Sequence, residues 1–231
     1  MLQAHRETAS GSVQSAVELF AHLEKDLYTA VVSDALDDLG LRDRAMGDHL
    51  RPVGPKVKFA GWARTICCMD TYHVDDNPYE AEIAAIDSIL PGEVVIVSTG
   101  GSKRNAPWGE LLSTAALARG ARGAVVDGLV RDVGRIQELG FPLFAAGMKP
   151  VDSKGRGLVV SHNVPVECAG VLVSPGDLVF ADLDGVLAIP AAVVEQAIRL
   201  AMEKATRESH SRDELRQGAY LRDVYNKYGV L

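Results

Sequence analysis

GGSKRNAPWGELLSTAALARGARGAVVDGLVRD, residues 100–132, sets the fold of the chain around it. Gly100 and Gly101 open it as a turn. Pro107 or Trp108 is expected to begin a helix. Trp108, Leu111, Leu112, Ala115 and Ala118 recur at helical spacing, so they are expected to face the core, and Gly120 closes the helix. Ala124-Val125-Val126 then reads as a short buried strand and Asp127-Gly128 as a turn. Arg131 and Asp132 follow, with Asp132 opening the next helix over residues 133–139. Strands alternating with helices in this way suggest one layered α/β domain with a mixed sheet.

The flanking sequence extends the same alternation. Upstream, helical spacing covers residues 17–27 and 30–39, the second helix capped by Thr29 or Ser33 and ended by Gly40. Residues 41–56 read as loop. Residues 57–66 alternate like a half-buried strand, residues 70–78 as a polar turn and residues 79–89 as a helix. Pro91-Gly92 then turns into the apolar run Glu93-Val94-Val95-Ile96-Val97, a buried strand leading into Gly100.

Downstream, residues 141–145 read as a strand and 146–156 as loop. Short strands follow at 158–160, 164–166, 171–173 and 178–181. Asp182-Leu183-Asp184-Gly185 between two apolar runs is a hairpin turn rather than a metal loop. Pro190 starts the last long helix, with Val194, Ile198, Ala201, Met202 and Ala205 on one face. The resulting fold class is α/β: a single layered domain over residues 15–208 with a mixed β-sheet flanked by helices. Residues 1–14 are small and polar and read as a flexible start. The charged stretch 209–231 reads either as a tail packed on a neighbouring subunit or as a solvated helix.

Composition narrows the function. The 231 residues are 47% hydrophobic, enough for a sizeable core. The net charge of −7, without a long basic run, argues against nucleic-acid or membrane-surface binding. Cys67, Cys68 and Cys168 are odd in number and two are adjacent, a poor disulfide framework. They read as apolar thiols in a reducing compartment. No apolar signal core or membrane span is evident, so a cytoplasmic protein is expected. His73 with Asp75 and Asp76 resembles a metal cluster only loosely and reads as a solvated loop.

The chemistry collects in the opening stretch. Gly109 lets a ligand approach the backbone closely. The amides of Glu110, Leu111 and Leu112 are unpaired donors of a first helical turn, suited to a carboxylate or phosphate. Glu110 either complements the helix dipole or faces a cation beside the bound anion. Arg131 can clamp a carboxylate or enolate oxygen. Asp132 reads as a helix cap paired with Arg131, or as a ligand for a hard divalent cation. Neither a phosphate-binding Gly-Lys-Ser/Thr loop nor a dinucleotide-binding glycine motif is present.

Gly109-Glu110-Leu111-Leu112, Arg119-Gly120, Gly123, Val125-Val126-Asp127-Gly128 and Arg131-Asp132 together resemble one family. The pattern continues through residues 138–142, 164–166 and 168–170, then Pro175-Gly176-Asp177 and residues 182–186. It is similar to the 4-hydroxy-4-methyl-2-oxoglutarate aldolases, a family that also contains the regulator of ribonuclease activity A. The resemblance covers roughly residues 28–208. It implies a class II aldolase using Mg²⁺ or Mn²⁺ on a small 2-oxo acid, in a homotrimer or homohexamer. It further implies Asp132 as direct metal ligand and Glu110 as a second acid holding the metal through water. Arg131 would then contact the pyruvyl oxygens, and Gly109, Leu111 and Leu112 would cradle the carboxylate. A glutamate from the adjacent subunit, with Glu208 the nearest candidate, would complete the site. Lys103-Arg104-Asn105 would tune substrate choice. The family's other implication is a non-catalytic regulator that binds a ribonuclease.

Overall fold

The computed structural model describes residues 11–55 and 57–230, with side chains from Glu18 onward. The helices are α1 (Gly11–Asp26), α2 (Thr29–Asp38), α3 (Glu80–Asp87), α4 (Glu110–Ala118), α5 (Val133–Leu139), α6 (Val194–Arg216) and α7 (Leu221–Tyr228). The strands are β1 (Arg51–Pro52), β2 (Phe59–Asp70), β3 (Glu93–Ser98), β4 (Gly123–Val130) and β5 (Leu143–Met148). β6 (Gly157–His162), β7 (Val166–Cys168), β8 (Val171–Val173), β9 (Leu178–Asp182) and β10 (Gly185–Ile189) complete the set. Of the start expected to be flexible, residues 1–10 lie outside the described residues and 11–14 belong to α1.

The main sheet runs β1-β5-β4-β3-β2-β9-β10, and β6 also pairs with β2. β2, β3, β4 and β5 are mutually parallel, while β1, β6, β9 and β10 pair antiparallel. The sheet is therefore mixed, as expected from the sequence. Side-chain alternation sorts the core by face. Val94 and Ile96 of β3 join Phe59, Val125 and Phe144 in one cluster, capped by the separate β7–β8 hairpin. Val95 and Val97 join Val126 and Leu143 on the opposite face, beneath α3, α4 and α5. A third cluster packs α1, α2 and α6 on Ala60, Leu178 and Phe180. Ala60 and Ile66 are both even positions of β2, so the two helical clusters share one face of the sheet.

Several expectations are corrected here. β2 is twelve residues long and buried through most of its length rather than alternately exposed, because helices cover one face and the β7–β8 layer the other. β4 is buried at all eight positions and runs on through Asp127 and Gly128, which do not form a turn. Pairing to β5 resumes at Leu129↔Gly147 after a register shift. A bulge thus absorbs the polar pair. Asp127 is satisfied inside the core, 3.0 Å from the Ala169 amide and 3.1 Å from His49 Nε2. Gly128 lies so near Thr99 that a Cβ would sit 2.7 Å from its hydroxyl oxygen.

β5 extends to Met148, into the expected loop, and the 41–56 loop contains edge strand β1. Tyr28, not Thr29 or Ser33, precedes α2 as its cap, without a side-chain bond. Thr29 instead donates its amide and hydroxyl to Asp182, at 2.8 and 2.6 Å. Asp182 opposes Gly185 across the β9–β10 turn, as the hairpin reading requires. α6 begins at Val194 and buries Val194, Ala197 and Ala201, whereas Met202 is exposed.

The charged C-terminal stretch is helical. α6 passes through residue 208 unbroken, and α7 folds back on it. There Val224 is buried, and the Tyr228 hydroxyl and Lys227 both reach Glu214. Cys168 is fully buried, and burial pushes the Cys68 thiol up to about 12, so both are held as unreactive thiols. No helix among the described residues is long and apolar enough to cross a membrane.

Candidate active site

The site forms where β4, at the middle of the parallel strands, reaches its C-terminal end. Ligands collect at such ends in open α/β sheets. Arg131 and Asp132 leave the sheet here. The segment before α4 is pinned beside them by a parallel bridge between Trp108 and Val130 and by the Arg131 amide donating to the Trp108 carbonyl at 2.9 Å. Trp108 is buried, stacks on Phe141 and donates its indole N–H to Ser113 at 2.8 Å. It therefore anchors the approach to α4 instead of belonging to the helix, which starts two or three residues later than expected.

Gly109 caps α4 in an extended conformation. A Cβ here would lie 2.7 Å from Asp132 Oδ2, 3.0 Å from Arg131 Cγ and 3.2 Å from Arg131 Nε. Only glycine leaves that space open. Asp132 adopts the left-handed conformation, with φ 58°, which is costly for a residue with a side chain. It stands at the N-terminus of α5 yet makes no side-chain cap there. Its Oδ2 instead accepts the Glu110 amide at 3.3 Å and lies 3.5 Å from Arg131 Nε. The cap reading of Asp132 is thereby corrected: its carboxylate turns back across the start of α4.

The Leu111 and Leu112 amides open the first turn of α4 without an acceptor among the described residues. They are the donors expected for a carboxylate cradle. Their side chains behave otherwise than expected. Leu111 is 75% exposed and Ala118 is exposed, and the buried face of α4 is Ser113 and Ala116. The Glu110 carboxylate accepts the Thr114 hydroxyl at 3.0 Å along its own helix. The structure thus brings together Gly109, Arg131, Asp132 and the Glu110 amide, with the Leu111 and Leu112 amides next in the same turn, while the Glu110 carboxylate turns to Thr114.

Among the described residues no group of three or more His, Cys, Asp or Glu side chains closes around a metal position. One half-exposed carboxylate, beside a space that a Cβ would fill, still fits Mg²⁺ or Mn²⁺. Hard cations of this kind bind through one or two carboxylates and keep water or substrate oxygens as their other ligands. Glu208 is on α6 and bonds to Tyr28, and its described contacts include none of Gly109, Glu110, Arg131 or Asp132. Burial raises its carboxyl above the ordinary range, opposed by Arg212.

Three residues beside Arg131 escaped the sequence reading. Asp152 Oδ1 lies 3.0 Å from an Arg131 terminal nitrogen. Its other oxygen accepts the Tyr79 hydroxyl at 2.5 Å and the Lys154 amide at 3.1 Å. Burial works against ionising Asp152, but the Tyr79 hydroxyl, the Lys154 and Ser153 amides and Arg131 outweigh it and hold the carboxyl below its usual range. Tyr79 is raised, chiefly by that same hydrogen bond. Glu82, one turn along α3 from Tyr79, is pushed up to about 7 by burial and by Asp152, against the pull of Arg131. Asp152 is 73 residues from Tyr79 in the chain, so no local pattern announces the contact.

In the turn before α4, Arg104 lies 3.9 Å over the Tyr72 ring and donates to the Thr71 carbonyl at 2.9 Å. Asn105 is buried with its side-chain oxygen unpaired. His73 meets Asp75 at 3.1 Å on a loop where the His73 side chain is 71% exposed, a solvated setting.

The RraA-like family profile, described as Aldolase/RraA, matches residues 29–188, a span that includes every element of this site except residues of α6. The chain belongs to the RraA-like family. A 4-hydroxy-4-methyl-2-oxoglutarate aldolase of Thermus thermophilus is 34% identical over 157 residues, covering 67% of this chain and 90% of that protein. RraAS2 of Streptomyces coelicolor, described as an unusual member of the RNase ES inhibitor RraA protein family, superposes with a TM-score of 0.73 at 30% identity. The match covers 89% of this chain and 98% of RraAS2. An uncharacterized protein of Pseudomonas syringae superposes with a TM-score of 0.80 at 26% identity, covering 95% of each chain. This RraA-like chain thus shares its fold with proteins named as aldolases and with proteins named as ribonuclease inhibitors.

Proposed function

We propose that this RraA-like protein is a divalent-metal-dependent lyase that cleaves 4-hydroxy-2-oxo acids to pyruvate and a carbonyl product, with oxaloacetate decarboxylation as a second activity. The observation carrying the reading is the close approach of Arg131 and Asp132 to Gly109, at the start of α4, where the Leu111 and Leu112 amides have no acceptor among the described residues. A pure binding surface has no need to hold an aspartate in a left-handed conformation beside an arginine and a helix start.

Asp132, with Glu110 acting through water, would hold Mg²⁺ or Mn²⁺. When bound, the cation supplies Lewis acidity at the 2-oxo oxygen. The Leu111 and Leu112 amides bind the substrate carboxylate at the positive end of α4. Arg131 faces the 2-oxo oxygen and stabilises the negative charge that grows there as C3–C4 breaks. A water held by the Glu110 carboxylate takes the 4-hydroxyl proton as the new carbonyl forms, and it returns a proton to C3 of the pyruvate enolate. Loss of CO₂ from oxaloacetate gives the same enolate and needs the same groups. Glu208 of an adjacent subunit would complete the site in a homotrimer or homohexamer.

Asp132→Ala and Arg131→Ala should each abolish pyruvate release while leaving the melting temperature within a few degrees of wild type. Full turnover in either variant contradicts the reading. The likeness to RraAS2 supports one second reading, a regulator that binds a ribonuclease. Tight capture of a ribonuclease by purified protein that releases no pyruvate from any 2-oxo acid would establish that reading instead.

A further inference from the structure

The Arg131 guanidinium is held from behind. A free arginine has four rotatable bonds and samples many positions, so a bidentate clamp works only if something fixes its plane. Asp132 approaches one edge, at Nε, from 3.5 Å, and Asp152 takes a terminal nitrogen at 3.0 Å. The remaining N–H groups of the fork stay available to a ligand. Asp152 is itself fixed by the Tyr79 hydroxyl and the Lys154 amide. Its loop is tied down by the Arg156 and Gly157 amides donating to the Ser153 carbonyl, and by the Ala106 amide donating to the Val151 carbonyl.

Beside this chain of contacts is a cavity lined by Glu82, Thr99, Ser102, Asn105, Pro107 and Ser153. It offers only about 20 Å³ to the centres of water molecules. One water needs roughly 10–15 Å³ by that measure. The cavity therefore suits a water beside buried Asn105, whose side-chain oxygen has no partner among the described residues. Asp152 meets the site at Arg131 and Tyr79 meets Asp152, so both act on the reaction through Arg131.

We infer that Asp152, oriented by Tyr79, is the positioning residue that holds Arg131 in its substrate-facing orientation. This rests on the proposed lyase reading of the Arg131–Asp132 site and adds two residues to it. Tyr79 acts only through Asp152, so the two should behave as one unit.

The test is a mutant cycle on full-length protein, with pyruvate release followed in Mg²⁺ and kcat expressed per folded molecule. Asp152→Asn should lower kcat about tenfold or more, the usual effect of losing a supporting hydrogen bond behind a ligand group, with KM changed less than about threefold. Tyr79→Phe should lower kcat by a smaller factor. The double variant should be no worse than Asp152→Asn alone, because residues acting in series are not additive. Asp152→Glu should recover part of the loss. A merely structural role would lower the melting temperature and leave kcat per folded molecule unchanged, and that result overturns the inference. So does a double variant whose losses multiply.

The same cycle is read on Mg²⁺-dependent oxalate affinity, which requires no turnover. Asp152→Asn should weaken oxalate about tenfold, and unaltered affinity in the variant counts against the inference. Wild-type protein that binds oxalate without turnover refutes the lyase reading alone. Wild-type protein that does neither overturns both.

Discussion

Replacing Gly109 by alanine separates the site from the fold. The backbone permits the change, because φ is −153°, an extended value open to any residue. The obstacle is contact. The new Cβ would lie 2.7 Å from Asp132 Oδ2, whereas ordinary contact begins at 3.4 Å, so the carboxylate must retreat about 0.7 Å. The Glu110 amide bond to that oxygen, already 3.3 Å long, would not survive the shift. Alanine is also a poorer helix cap than glycine, at a cost of about 1 kcal/mol. Against that modest loss of stability, displacing the oxygen proposed to hold the metal by most of an ångström should lower kcat/KM about a hundredfold, equivalent to about 2.7 kcal/mol of barrier. Urea unfolding and pyruvate release on the same preparation measure both quantities. A variant that keeps its stability and its full activity would show that Gly109, Arg131 and Asp132 do not form one site.

Two further outcomes follow from buried charge. Glu82 has its carboxyl raised from 4.5 to about 7 in the folded protein. Folding therefore opposes its ionisation, and the destabilisation appears as pH rises from 4.5 to 7 and is constant above that. Glu82→Gln should match wild-type stability near pH 4 and exceed it above pH 7 by at most about 3 kcal/mol, at 1.36 kcal/mol per pH unit. A stability difference that does not change with pH in urea titrations refutes it. Arg64 donates to Glu93 at 2.8 Å and to the Ser88 carbonyl at 3.0 Å, with both side chains 10% exposed. Arg64→Met leaves Glu93 charged and buried with only the Leu90 amide on it, and should cost about 3–5 kcal/mol in chemical denaturation. A loss below 1 kcal/mol would mean that water reaches the pair.

The strands carried by continuous apolar runs were legible, and so were the helices closed by glycine. β3 and α5 stand where their residues place them, and so does the turn of the β9–β10 hairpin. Asp127-Gly128 was misread because local turn chemistry carries no information on whether the strand resumes pairing beyond it. Here the β4–β5 bulge and the Ala169 and His49 contacts satisfy the aspartate inside the core. Leu111 was assigned to the core from spacing alone, but α4 starts later than expected and its buried face rotates onto Ser113 and Ala116. Gly109, Arg131 and Asp132 were recognisable as a pattern, and their proximity follows from the Trp108–Val130 bridge. Asp152 and Tyr79 were invisible because a loop and a helix start meet only after the sheet has formed.

The central claim is that Asp132 and Arg131 organise a cation and a 2-oxo acid for carbon–carbon cleavage. It is tested most directly by pyruvate release from 4-hydroxy-4-methyl-2-oxoglutarate and from oxaloacetate, measured on wild-type protein before EDTA treatment, after it, and after Mg²⁺ or Mn²⁺ is restored. The account predicts release that disappears with EDTA and returns with either cation. Undiminished release after complete metal removal, or no release from any 4-hydroxy-2-oxo acid with metal present, would contradict it.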